Sequence, residues 1–117
     1  MHARTVFGHA VEDIAADHLE QLGFRIVARN YRCDAGEIDI VALGEGVLVF
    51  CEVKARRDDR FGSPAEAVTY AKQARLRRLA ACWLAEHRPG AVDIRFDVVS
   101  VIVRSGRVEL THIPDAF

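Results

Sequence analysis

Two neighbouring segments of the sequence constrain the fold more than any other feature, because they combine strand-forming residues with acids. The first reads GEIDIV and the second VFCEVK, and β-branched and aromatic residues of this kind favour strands. Alternate residues of a strand face the same side. Glu37 and Asp39 therefore share one side of the first segment. Glu52 and Lys54 likewise share one side of the second.

The link between these segments reads LGEGV and predicts a hairpin turn, because Gly readily adopts the positive φ that such turns require. When the first Gly of the link pairs with its final Val, Asp39 lies opposite Glu52. Glu37 then lies opposite Lys54, and the four charged groups share one face of the hairpin. A slip of one residue would move one pair to the other face.

Acids that lie so close together need a compensating positive charge. Two carboxylates about 4 Å apart repel by about 4 kcal/mol at an effective dielectric near 20. Mg²⁺ takes oxygen ligands and keeps several waters, so two or three carboxylates on one face suit it. A Lys two residues beyond a metal-binding Glu can polarise a water or stabilise charge on a phosphate. The alternative is an ion pair of Lys54 with Glu52 or Glu37 on a solvated face, but the apolar setting favours a site.

Composition predicts one domain over residues 1–117, because half of the 117 residues are hydrophobic and can form a core. The net charge is −1, but the charges are segregated along the chain. Residues 54–78 carry eight basic and three acidic side chains, whereas residues 1–53 carry four basic and nine acidic ones. The basic segment is a candidate phosphate-binding surface, and the alternative is a solvated helix face.

The cysteines and the N-terminus indicate the compartment. Cys33, Cys51 and Cys82 are odd in number and lack CxxC spacing, which is typical of reduced thiols in a cytosolic protein. The N-terminus has no apolar signal region, and no segment approaches the length of a membrane span. We therefore expect a soluble, cytoplasmic protein that does not bind membranes.

The hydrophobic pattern predicts the element order α-β-β-β-α-β-β. The predicted helices cover residues 8–22 and 65–86, and the predicted strands cover residues 24–31, 36–43, 47–55, 94–103 and 107–113. Because a helix separates strand 47–55 from strand 94–103, these two should run parallel. Asp97 alternates with apolar residues in the latter strand, which predicts a buried hydrogen-bond donor as its partner. The predicted class is α/β, with a mixed central sheet flanked by helices.

At this spacing the motifs resemble those of the bacterial YraN-like UPF0102 family. That family is related to the restriction-endonuclease-like, or PD-(D/E)xK, superfamily and to Holliday-junction-resolvase-type nucleases. The resemblance covers nearly the whole chain, and its GEID and EVK motifs are specific together with the Glu of the first helix but weak apart. The residues that carry it are Gly8, Glu12, 30–32 (NYR), 36–39 (GEID), 50–54 (FCEVK), Arg56, 61–62 (FG), 65–68 (AEAV), Lys72 and 95–99 (RFDVV).

The resemblance implies a restriction-endonuclease-like core and a metal site of the Asp…Glu-x-Lys type. Asp39, Glu52 and Lys54 would form that site, and Glu12 would add an acid from the first helix. Without the resemblance, Glu12 would be interpreted as an acid near the helix N-terminus, where the helix dipole favours it. Glu37 shares the face of Asp39. It is expected to contact the ligands and hold them in place without binding the metal itself.

The leading hypothesis is therefore a metal-dependent endonuclease that cleaves DNA phosphodiesters, perhaps in branched or single-stranded DNA. Mg²⁺ or Mn²⁺ would be held by Asp39, Glu52 and Glu12, and Lys54 would orient or activate the attacking water. The residues expected to contact phosphates are Arg56, Arg57, Lys72 and Arg75. One alternative is a non-catalytic nucleic-acid-binding or assembly module with the nuclease fold. Another is a structural domain in which these acids and Lys54 form ion pairs.

Overall fold

A five-stranded mixed sheet forms the centre of the computed structural model, which describes residues 6–56 and 68–117. The elements are α1 (Val6–Gln21), β1 (Arg25–Cys33), β2 (Gly36–Gly44), β3 (Val47–Arg56), α2 (Tyr70–His87), β4 (Asp93–Arg104) and β5 (Arg107–Ile113). The strand order is β1-β2-β3-β4-β5, with β3 parallel to β4 and all other neighbours antiparallel. The predicted α/β class, element order and parallel pair are confirmed, and the order is consistent with a nuclease-like core.

The two helices cover opposite faces of this sheet. The core beneath α1 contains Ala42 of β2 and Cys51 of β3, whereas the core beneath α2 contains Val41 and Phe50 of the same strands. Because successive strand residues face opposite sides, this alternation places the helices on opposite faces. Within the described ranges, neither helix is long and apolar enough to cross a membrane.

Helix α1 forms as the apolar spacing predicts, although it begins two residues earlier than expected. Val11, Ala15 and Leu19 recur at helical spacing, and all three are buried against β2, β3 and β4. The helix ends at Gln21, and Gly23 follows with φ 98°, a conformation that glycine adopts without strain.

Helix α2 begins later than predicted. Residues 68 and 69 are not helical, and residues 65–67 of the predicted helix lie outside the described ranges. Thr69 is the N-cap, because its hydroxyl oxygen accepts a hydrogen bond from the Lys72 main-chain N–H at 3.2 Å. Such a cap satisfies one of the donors that a helix start leaves without a partner, which explains why the helix starts here. Its buried residues are Leu76, Leu79, Ala80 and Trp83.

The hairpin of β2 and β3 has the predicted register over five pairs, from Gly44–Val47 to Ile40–Cys51. Its two turn residues, a Glu and a Gly, have φ 48° and 78°, as the tight primed turns that suit twisted strands require. The pairing of β2 with β3 ends at Ile40–Cys51. The predicted pairs of Asp39 with Glu52 and of Glu37 with Lys54 therefore lie beyond the paired part of the ladder.

A buried polar network joins β4, β5 and α1. Asp97 is 1% exposed and accepts two hydrogen bonds from the Arg95 guanidinium at 2.9 Å, one from the Asp115 main-chain N–H at 3.0 Å, and one from His112 at 2.7 Å. The second ring nitrogen of His112 lies 3.0 Å from His18 Nε2 of α1. Three residues thus donate hydrogen bonds to the buried Asp97, where the sequence predicted one buried donor. Burial alone would raise the pKa of Asp97, but the bonds from His112 and Arg95 outweigh it and hold that pKa below its ordinary value.

Candidate active site

A cleft of about 580 Å³ lies between the β1–β2 hairpin, β3 and α2. The residues that line it are Arg32, Cys33, Gly36, Glu37, Asp39, Glu52 and Arg75. Three of these side chains are acids and two are arginines. The cleft therefore contains two of the carboxylates that sequence analysis assigned to the metal, together with the carboxylate expected to support them.

Asp39 is fixed at the point where β2 and β3 stop pairing. Its Oδ2 accepts a hydrogen bond from the Val53 main-chain N–H at 2.7 Å, so a side chain replaces a ladder partner there. A main-chain N–H bound to a charged carboxylate is one of the stronger hydrogen bonds in proteins. The bond therefore holds the Asp39 carboxylate in place at the cleft wall.

Glu52 is neutralised by two lysines at once. Lys54 Nζ lies 3.7 Å and Lys72 Nζ lies 4.0 Å from the same Glu52 oxygen, Oε1. The Glu52 side chain is 12% exposed, so its charge is only partly screened by water. Burial, followed by the neighbouring Lys54 ammonium, lowers the pKa of Lys72 below its ordinary value, while Glu52 opposes that shift. The contact of Lys72 with Glu52 was not predicted, since Lys72 was assigned to phosphates.

The negative charges of Asp39 and Glu52 also act on the buried thiol of Cys51. Burial raises the pKa of Cys51 well above its ordinary value, and the charges of Asp97, Asp39 and Glu52 raise it further, in that order. Cys51 is fully buried and keeps its proton. This agrees with the reduced thiol that the sequence predicts, and it indicates that Asp39 and Glu52 both lie within electrostatic range of one point in β3.

Glu37 forms an ion pair with a residue of the neighbouring strand β1. It pairs with Arg32 in the β1–β2 register, and Arg32 Nη2 lies 2.7 Å from Glu37 Oε2. Its main-chain carbonyl accepts a hydrogen bond from Arg75 Nη1 at 3.3 Å. The strand pattern suggested Lys54 as the partner of Glu37, whereas its partner in the structure is Arg32. The available signal was that Arg32 and Glu37 flank the tight connection from β1 to β2.

Gly36 allows Arg75 to lie against the end of β2. A Cβ at this position would meet Arg75 Nη1 at 3.1 Å, which is closer than ordinary contact, and Gly36 has φ 131°. Arg75 was predicted to contact phosphates, and the structure places it in the wall of the cleft that contains the two carboxylates. Arg56 ends β3, two residues beyond Lys54, and Arg57 lies outside the described ranges.

Glu12 lies on α1, and it is not among the residues that line the cleft. It is 5% exposed, and its Oε1 lies 3.7 Å from Nη2 of Arg29. The other terminal nitrogen of the same guanidinium, Nη1, lies 2.8 Å from Asp13. Within residues 6–56 and 68–117, no three His, Cys, Asp or Glu side chains are arranged as a metal-binding group. The assignment of Glu12 to a metal therefore stays a prediction, and Asp39 and Glu52 are the two predicted ligands that share the cleft.

These features define an α/β protein with a mixed sheet and an acid-lined cleft rimmed by cations. The model of the uncharacterised protein family UPF0102 matches residues 11–101 of the chain. UPF0102 proteins of Frankia casuarinae and Mycolicibacterium gilvum are each 50% identical, covering 100% of both chains in the first case and 94% of this chain and 92% of the relative in the second. The UPF0102 protein of Acidothermus cellulolyticus is 49% identical, covering 87% of this chain and 85% of the relative. The chain belongs to the UPF0102 family, as the motifs predicted.

Proposed function

We propose that this protein is a metal-dependent endonuclease that hydrolyses phosphodiester bonds of DNA. The observation that carries the proposal is the convergence of Asp39 and Glu52 on one cleft, with the Lys54 ammonium 3.7 Å from Glu52. This is the Asp…Glu-x-Lys set that the resemblance to PD-(D/E)xK nucleases implies. The three residues come from two adjacent strands, which is the rigid support that a preorganised site needs.

The donor set fits Mg²⁺ or Mn²⁺. Asp39 and Glu52 offer carboxylate oxygens, which are the ligands that hard cations prefer. Two carboxylates are enough for Mg²⁺, because it keeps several waters and commonly completes its shell with substrate phosphate. A bound cation would supply Lewis-acid activation of the phosphate and of a water. Glu12 is proposed to assist from α1, and its contribution is tested separately by Glu12→Gln.

Each residue of the cleft has a distinct role in this proposal. Asp39 holds the cation in a fixed position, because the Val53 N–H restrains its carboxylate. Glu52 is the second ligand. Lys54 positions the attacking water or stabilises the negative charge that develops on the phosphate, since its ammonium lies 3.7 Å from Glu52, which lines the cleft.

The basic rim favours a polyanionic substrate. Arg32 and Arg75 line the cleft, and Lys72 lies at Glu52. Arginine forms bidentate contacts with phosphate, and a cluster of cations around the carboxylates would bring a DNA backbone to the metal. Branched or single-stranded DNA is the finer proposal, supported by the resemblance to resolvase-type nucleases.

A second candidate is a non-catalytic nucleic-acid-binding or assembly module. The observation that favours it is the neutralisation of Glu52 by two lysines, which leaves the carboxylate stable without any metal. Such a module would bind DNA through the same rim but would not cleave it.

Turnover of branched, single-stranded and duplex DNA with Mn²⁺ separates the two candidates. We expect weak cleavage by the wild type, none without metal and none by Asp39→Asn. Lys54→Ala should lose about 100- to 1,000-fold in rate, as truncation of one preorganised electrostatic group commonly does. Arg107→Ala, at the exposed start of β5 and outside the basic segment 54–78, is the matched control and should cleave like the wild type. Tight DNA binding by the wild type without cleavage of any substrate would favour the module, and cleavage that persists in both site variants would indicate contamination.

A further inference from the structure

Both lysines of the chain lie beside the same carboxylate. Of its sixteen basic residues other than His, fourteen are Arg and two are Lys. Both lysines, Lys54 and Lys72, place Nζ within 4.0 Å of the same oxygen of Glu52. One ammonium is enough to neutralise one carboxylate. The second lysine therefore needs a further explanation.

The two lysines are held in different ways. Lys54 is on β3, two residues from Glu52, so its backbone is fixed by pairing with β4. Lys72 reaches Glu52 from the first turn of α2, whose start is held by the cap at Thr69. The Lys72 side chain is 31% exposed, and its 4.0 Å separation from Glu52 is too long for a direct hydrogen bond. Lys72 can therefore leave Glu52 by rotating its side chain, without any movement of the sheet.

A divalent cation on Glu52 would change this balance. Lysine ammonium and the cation have charges of the same sign, and both would be attracted to the Glu52 carboxylate, so they would compete for its negative charge. The ammonium that is displaced would lie beside the arginine-lined cleft, where a phosphate is the obvious new partner. Lysine suits this exchange because its point charge sits on a flexible stem, unlike the planar fork of arginine.

We propose that Lys72 is an exchangeable counter-ion, which neutralises Glu52 in the metal-free protein and turns to a nucleic-acid phosphate when Mg²⁺ or Mn²⁺ binds. The proposal rests on the proposed function, because it assumes that Glu52 is a metal ligand. It makes Lys72 a positioning residue that couples two ligands. Metal and nucleic acid then bind with positive cooperativity, and by linkage each tightens the binding of the other by the same factor.

Calorimetric titration of Mn²⁺ tests this coupling without relying on cleavage. The titrations use the wild type, Lys72→Met and Lys72→Arg, each alone and with a short single-stranded DNA carrying phosphorothioate linkages to slow hydrolysis. In the absence of DNA, we expect Lys72→Met to bind Mn²⁺ about tenfold more tightly than the wild type, because the competing Lys72 ammonium is gone. The DNA should tighten Mn²⁺ binding about tenfold in the wild type and markedly less in Lys72→Met. Lys72→Arg keeps the charge and should resemble the wild type when Mn²⁺ is titrated alone.

Arg107→Met is the matched control, because it removes one positive charge from the exposed start of β5, outside the basic segment 54–78. It should leave Mn²⁺ affinity and the coupling to DNA unchanged. Equal Mn²⁺ affinity in Lys72→Met and wild type, or equal coupling to DNA in both, would overturn the proposal while leaving the nuclease assignment intact. If the wild type binds no Mn²⁺ with or without DNA, both the counter-ion proposal and the metal-dependent function are wrong.

Discussion

Asp39 and Glu52, the two predicted metal ligands in the cleft, differ in what stabilises their negative charge. Asp39 is bound by a main-chain N–H, whereas Glu52 is held by two ammonium groups. A neutral isostere therefore has different consequences at each position. Asn at position 39 keeps an oxygen that can accept the Val53 N–H, but Gln at position 52 leaves two lysines without their counter-charge.

The first prediction concerns Asp39→Asn. We expect the metal-free variant to unfold at nearly the same urea concentration as the wild type, because the bond from Val53 can be retained. Mn²⁺ should stabilise the wild type, by about 2.7 kcal/mol at a concentration 100 times its dissociation constant, and should not stabilise the variant. The measurement is urea denaturation with and without Mn²⁺.

Asp93→Asn serves as the control for this experiment, since Asp93 is an exposed acid at the start of β4. It should respond to Mn²⁺ as the wild type does. A structural ion pair at Asp39 predicts the opposite result, a loss of stability that does not depend on metal. Full Mn²⁺ stabilisation of Asp39→Asn would remove Asp39 from the site.

At the scale of elements, the start of α2 determines where Lys72 points. Thr69 caps the helix through the Lys72 main-chain N–H, so the cap and the site residue are directly joined. The apolar spacing placed the predicted start of this helix at residue 65, before the cap, because a hydrophobic pattern carries no information about a capping side chain. Ser and Thr compete with the helix by binding its first N–H groups, which is why the true start lies at Tyr70.

The second prediction follows from this cap. Thr69→Ala should lower the free energy of unfolding by about 1 kcal/mol, because an N–H of the first turn loses its acceptor. Thr69→Ser keeps the hydroxyl and should lose much less. Urea denaturation measures both. Equal stability of Thr69→Ala and the wild type would mean that the cap contributes nothing.

The contact between α1 and β5 gives the fold a pH dependence. Burial, and then the neighbouring His112, lower the pKa of His18 below its ordinary value of 6.5. Between that lowered value and 6.5, the unfolded chain binds a proton at His18 that the folded protein does not. The folded state is therefore disfavoured as pH falls through this window. Asp97, whose pKa is also lowered, adds a further loss only in strong acid, below its ordinary value of 3.8.

The third prediction is that His18→Gln flattens the fall in stability between pH 7.5 and pH 5. Gln can still donate to His112 but cannot take up a proton, so the linkage at this position disappears. The measurement is the free energy of unfolding from urea titrations at several pH values. His9→Gln, at an exposed position of the same helix, should keep the slope of the wild type. An unchanged slope in His18→Gln would contradict the assignment of the pH dependence to this contact.

At the scale of the whole molecule, local patterns predicted the fold better than the site. Element order, the hairpin turn and the parallel pair follow from periodicity and from the length of the connections, which are properties of short segments. The contacts of Lys72 with Glu52 and of Arg32 with Glu37 depend on where helix and strand ends lie after packing. The alternation of side chains along a strand does not predict such long-range contacts. The charged residues of the cleft were therefore identified from the sequence, but the residues that they contact were not.

The fold brings the acidic and the basic segments of the chain together at the cleft. Lys54, Lys72 and Arg75 are distant in sequence from Arg32, yet all four lie in or beside the cleft. A DNA backbone in this cleft would displace counterions, so its affinity should fall linearly on a plot of log K against log salt concentration. The slope is a property of the assembled surface and not of any one residue.

The fourth prediction uses that slope. Arg75→Ala should weaken DNA binding and reduce the steepness of the salt dependence by about 0.7 for single strands or 0.9 for duplex, which is the contribution of one phosphate contact. Arg56→Ala should act in the same direction, and fluorescence anisotropy at several salt concentrations measures both. Arg107→Ala, on the exposed start of β5, removes the same charge away from the cleft and should leave the slope unchanged. If all three variants keep the slope of the wild type, the basic residues around the cleft form only a solvated surface, and DNA binds elsewhere on the protein.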